Sequence, residues 1–67
     1  GAEAAFRAAT RAHPQAAVAF NNLAQVLADQ ERWSEAEAPA RRAVEIGGEN
    51  AEIFRQTLAR IEARAKN

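Results

Sequence analysis

The chain has no cysteine and a single histidine, His13. The first absence excludes disulfide bracing and thiolate metal ligation. One imidazole alone cannot complete an ordinary zinc site. No stretch forms a Gly-rich phosphate loop. Charge of one sign is missing too, since nine Lys and Arg balance nine Asp and Glu for a formal net charge of zero. Nucleic-acid binders carry a basic stripe, whereas the longest basic cluster here is Arg41-Arg42, read as a solvated helix face. No apolar run approaches the roughly 20 residues of a membrane span, and no signal-peptide pattern opens the chain. Cofactor, metal, nucleic acid and membrane therefore find no support in the residues. Gly1 stands in place of an initiator methionine. This predicts an excised piece of a longer chain, with Gly1 an expression remnant.

What is abundant is alanine. Hydrophobic residues make up 48 % of the 67, but alanine supplies much of that, and the aromatics are Phe6, Phe20, Trp33 and Phe54. Small side chains suit helix formation and close helix approach more than deep burial. A chain this short is near the lower limit for one apolar core, with a net stability of roughly 3–5 kcal/mol.

Four helices are expected. The first spans about Ala2 to Ala12, with Ala2, Phe6 and Ala9 on one face, and ends before Pro14. The second runs from about Gln15 or Ala16 to Asp29 with the stripe Phe20, Leu23 and Leu27, and Pro14 could occupy its first position. In the third, Ser34 and Glu37 have the spacing of a capping box, Pro39 predicts a mild bend, and Gly47-Gly48 supplies a left-handed stop after Ile46. Asn50 is placed to cap the fourth, Ala51 to about Ala65, with Phe54, Leu58 and Ile61 inward and a polar tail from Arg60 that should fray. Connections of about three to five residues make neighbours antiparallel, and the fold class is all-α.

A shift of about 34 positions superposes Ala2 on Ala36, Glu3 on Glu37, Ala4 on Ala38, Arg7 on Arg41 and Ala9 on Ala43. The same shift places Ala17 on Ala51 and Phe20 on Phe54. With Phe20, Leu23, Ala24, Leu27, Trp33 and Ala36 in order, the chain resembles the tetratricopeptide repeat family along its whole length. Phe20-Asn21-Asn22-Leu23-Ala24 followed by Glu35-Ala36-Glu37 is similar to kinesin light chain repeats. The resemblance implies a right-handed solenoid fragment of helical hairpins in a single domain, 1–67. Residues 1–16 would be the second helix of a truncated repeat, 17–50 a complete repeat, and 51–67 the first helix of a following repeat or a cap. Three positions depart from the pattern: Ala40 replaces a bulky residue and should loosen packing, Gly48 replaces the closing proline, and Glu31 occupies a turn position usually held by glycine.

In that family the first helix of each repeat lines a concave groove. The resemblance places Val18, Asn21, Asn22, Gln25, Ala28 and Asp29 there, and Glu52, Arg55, Gln56, Ala59 and Glu62 from the next repeat. Asn21, Asn22, Gln25 and Gln56 carry carboxamides able to donate to and accept from a peptide backbone. The candidate partner-binding residues are therefore Asn21, Asn22, Gln25, Asp29, Arg55 and Gln56. The carboxylate clamp of some relatives is not expected, because Glu52 and Gln56 stand where lysine and arginine would be required. His13 reads as a solvated turn residue, Ser34 as a cap, and Trp33 as a wedge between the second and third helices. Glu35 and Glu37, two apart, lie on different helix faces and are no acid/base pair. The expectation is a non-enzymatic interaction module for a peptide or partner helix. The alternative is a structural fragment that forms homo-oligomers through the open faces of its terminal helices.

Overall fold

Helices α1 (Ala2–Ala12), α2 (Ala17–Asp29), α3 (Trp33–Ile46) and α4 (Ala51–Ala65) follow one another in a computed structural model that describes residues 1–66. Asn67, the last residue of the expected domain span, lies outside the described residues. Among the described residues there is no strand. Successive helices pack as hairpins, α2 against α3 and α3 against α4 most extensively, with α1 on α2 and a lighter contact between α2 and α4. The shape is a slab of 32 × 27 × 13 Å.

Alanine sets the spacing of this slab. Ala24, Ala36, Ala40 and Ala43 have no exposed surface, so the helix backbones approach closely where they cross. The main cluster gathers Leu23, Ala24, Leu27, Ala28, Ala36, Ala40 and Ile61, with Phe6, Trp33 and Leu58 partly buried against it. A second joins Ala17, Ala43 and Phe54 with Phe20, Val44 and Ile46. Ala40 does not loosen α3, because it is fully enclosed in the same cluster as Leu27 and Ile61, which supply the bulk it lacks.

The turn between α2 and α3 carries the chain's one non-glycine residue with positive φ among the described residues, Glu31 at 60°. Its N–H donates to the Ala28 carbonyl and the Arg32 N–H to the Leu27 carbonyl, both at 2.9 Å. That pair of bonds is a Schellman closure, which accepts the left-handed residue in exchange for satisfying two helix-end carbonyls. The turn also corrects the expected capping box. It delivers Arg32, not Ser34, to the N-cap, so α3 begins at Trp33 and no side-chain cap bond forms. The Ala36 N–H reaches the Arg32 carbonyl at 3.0 Å, which leaves Ser34 inside the first turn.

Other helix ends differ in detail from expectation. Pro14 lies in the turn before α2 rather than in its first position, and the N-cap is Ala16. Asn50 holds the N-cap position of α4, but its side chain makes no cap bond. Gly47 ends α3 with φ 70° and ψ −133°, a region open essentially to glycine and distinct from the left-handed helical one. The helix runs through Pro39 without interruption. α4 stays helical to Ala65 rather than fraying from Arg60, since Ile61 within that tail is fully buried.

Three further side chains make contacts beyond those expected. The Trp33 ring packs on the main cluster, with the Arg64 guanidinium from the far end of α4 5.3 Å from its centroid, so it faces α4 as well as the core. Arg41 and Arg42 are not merely solvated. Arg41 pairs with Glu37 at 3.2 Å and with Glu62 of α4 at 3.5 Å. Arg42 lies over the Phe20 ring at 5.9 Å and donates to the Pro14 carbonyl at 3.3 Å.

Candidate interaction face

Helices α2 and α4 both rest on α3, and a shallow hollow of about 370 Å³ opens between their outer flanks. It is lined by Gln25 of α2 and by Ile53, Gln56, Thr57 and Arg60 of α4. The helical repeat explains why those four come together: positions 53, 56, 57 and 60 advance by three and four residues and so share one stripe. Two carboxamides, Gln25 and Gln56, thus face one space from opposite sides. Each offers donors and an acceptor to an extended backbone.

The remaining candidates are distributed around this hollow. Asn22 is half-buried, and Asp29 is exposed at the last position of α2. Arg55 is exposed and donates to Glu52 at 3.0 Å, outside the hollow's lining. Asn21 is only 6 % exposed, and its Oδ1 is buried without a hydrogen-bond partner. Ala28, expected to face the groove, is buried in the main cluster. Val18 and Ile53 are the large hydrophobic side chains left open, each 52 % exposed.

Ile53, Thr57 and Arg60 were missed when α2 positions were carried across to α4 at the repeat offset. That transfer finds the equivalent flank of the next helix. A hollow between two neighbouring helices is instead lined by opposite flanks, one from each. The i, i+3, i+4, i+7 row through Ile53, Gln56, Thr57 and Arg60 was the available signal. Thr57 contributes less than its neighbours, since its hydroxyl donates to the Ile53 carbonyl at 3.1 Å.

Charge concentrates elsewhere, at the α1–α2–α3 junction. Arg32 grips Glu35 with two bonds of 2.8 and 2.7 Å, donates to Glu3 of α1, and reaches the Gln30 side-chain oxygen at 2.8 Å. Arg7 adds a bond to Glu3 at 3.1 Å. The Arg32 bond, followed by that from Arg7, holds the Glu3 carboxyl below the ordinary carboxylate range. Arg32 does the same for Glu35. The arrangement fastens α1 to the central hairpin and offers no proton-transfer pair. His13 is exposed in its turn. Among the described residues no group of three or more His, Cys, Asp or Glu is placed to hold a metal ion. No helix among them is long and apolar enough to cross a membrane.

The tetratricopeptide repeat family model matches residues 16–49, half of the chain. No curated protein and no solved structure matches it. Repeats of that family generally mediate protein–protein interaction and form a non-enzymatic scaffold.

Proposed function

The chain belongs to the tetratricopeptide repeat family, and on that premise we propose that it binds an extended peptide or partner helix across the hollow between α2 and α4. The observation that carries the reading is Gln25 and Gln56 facing one space from two helices. Open to solvent, that space suits a backbone that exchanges water for carboxamide hydrogen bonds. Asn22, Asp29 and Arg55 extend the same surface, and Asn21 supports it from beneath. Residues 17–50 act as the complete repeat, with 1–16 and 51–67 as its flanking half-units. The Phe20-Asn21-Asn22-Leu23-Ala24 string favours a kinesin-light-chain-like member of the family.

The test is a titration of isotopically labelled protein with a mixed-sequence octapeptide pool, followed by nuclear magnetic resonance. Shifts should concentrate on the Gln25 and Gln56 side-chain amides. A Gln25→Ala/Gln56→Ala variant should keep its helical circular dichroism and lose those shifts. Perturbations confined to α1 or α3 would overturn the reading.

One observation favours the structural alternative. α1 has no buried residue, and Ala4, Ala5, Ala8 and Ala12 are exposed along one side, a face on which a second copy could rest. The corresponding outer side of α4 carries the paired Glu52 and Arg55 and gives no such support. Light scattering across concentration decides between the two, a monomer at high concentration excluding assembly.

A further inference from the structure

We propose that Arg60 makes the α2–α4 hollow selective for an extended segment carrying an aspartate or glutamate two residues from an aliphatic side chain. The inference rests on the groove reading above and adds the chemistry of what is bound. Arg60 is the one charged residue lining the hollow. It is exposed and has no ion pair among the described residues, where seven such pairs occupy most other arginines. Arg55, the cation that sequence position favours, is already held by Glu52 and lies outside the lining. A guanidinium free of internal acid and set beside two carboxamides is complementary to a carboxylate, which it can bind with two parallel bonds.

The apolar half of the specificity comes from Ile53, 52 % exposed in the same hollow although it is one of the largest aliphatic side chains in the chain. Covering it removes apolar surface from water. Ile53 and Arg60 lie two helical turns apart, about 10 Å along the axis. A helical side chain leans toward the N-terminus of its helix, which carries the Arg60 head back toward Ile53. Alternate residues of an extended strand stand roughly 6.6 Å apart with their side chains on one face, so an acid two positions from an aliphatic residue would reach toward Arg60 while that residue covers Ile53. Gln25 and Gln56 would then serve the backbone between.

The probes are three capped peptides in a serine background, containing Asp-Ser-Leu, Asn-Ser-Leu or Lys-Ser-Leu, titrated by nuclear magnetic resonance at low and high salt. Wild-type protein should bind the Asp peptide about three- to tenfold more tightly than the Asn peptide, with the preference shrinking as salt rises. Arg60→Gln should erase the preference while leaving shifts at Gln25 and Gln56. Arg60→Glu should transfer it to the Lys peptide. Equal affinity for all three peptides at the hollow, unchanged in Arg60→Gln, overturns the selectivity and leaves the groove reading standing. No shift at Gln25, Gln56 or Ile53 with any peptide overturns both.

Discussion

Helices α2 and α4 begin 34 positions apart in the sequence, at Ala17 and Ala51, yet one is core and the other is margin. Leu27 and Ile61 correspond, and both are fully buried. So do Phe20 and Phe54, which pack in the same cluster. The flanking positions diverge. Ala28 in α2 is 4 % exposed and lies in the main cluster, while its counterpart Glu62 is half-buried and pairs with Arg41. Val26 becomes Arg60, and Ala24, fully enclosed at a close crossing, becomes the bulkier Leu58. α2 is covered by α1 and α3, whereas α4 is covered chiefly by α3. Shared identity at the central stripe therefore specifies packing on α3, and the residues beside that stripe decide whether a second neighbour can be seated. Arg60, without an ion pair among the described residues, stands on the marginal helix, where α2 has Val26.

Exchanging one residue between the helices should break the comparison with the largest effect. Ala28→Glu forces a carboxylate into an alanine site that is only 4 % exposed. The cost should be about 3 kcal/mol or more. Against a total of roughly 3–5 kcal/mol, that leaves at most about 2 kcal/mol of stability. The reverse change, Glu62→Ala, deletes a partly exposed ion pair and should alter stability by no more than about 0.5 kcal/mol. Urea denaturation followed by circular dichroism measures both. Equal costs would mean that the two helices are equivalently packed and that the distinction drawn above is false.

The pattern of the sequence made the stripe legible and the flanks much less so. Helix α1, the end of α3 and the span of α4 follow from alanine content, the two prolines and the glycine pair, all local signals. Phe20, Leu23, Leu27, Phe54 and Ile61 follow from helical periodicity. The start of α3 did not, because a capping box at Ser34 competed with a turn geometry set three residues earlier. Backbone closure at Glu31 prevailed, and no pattern local to Ser34 reports it. The hollow was half legible. Gln25 and Gln56 were found by repeat equivalence, but Ile53 and Arg60 belong to the opposite flank of α4, and which flanks meet depends on how two helices rotate on α3.

The turn at Glu31 offers a smaller and opposite effect. A non-glycine residue in the left-handed region is disfavoured, while glycine occupies it freely, so Glu31→Gly should stabilise the central hairpin. After the greater chain entropy of glycine when unfolded is deducted, the gain should be about 0.5–1 kcal/mol. A rise in the urea midpoint with an unchanged m value is the expected reading. Glu31 makes no ion pair among the described residues, so little is lost with its side chain. A fall in midpoint would show that the Schellman closure relies on the glutamate itself.

The smallest effect sharpens the contrast between α1, which buries no residue, and α3, which buries Ala36, Ala40 and Ala43. α1 is tied to the hairpin by Glu3 through Arg32, and that contact depresses the Glu3 carboxyl below its ordinary value of 4.5. A depressed acid stabilises the fold when ionised, so its contribution is complete above that value. The contribution is lost as the pH falls below it through the folded-state value. Because the pair is partly open to solvent, the effect should be modest and weaken with salt. Acidification across this window should therefore raise amide exchange in α1 before α3. Glu3→Gln should show the faster α1 exchange already at neutral pH and respond less to acid than the wild type. Glu35, depressed by the same arginine, remains in that variant and accounts for a residual response centred on the start of α3. If α1 and α3 opened together at every pH, the Glu3 tie would not be what distinguishes the outer helix from the inner one.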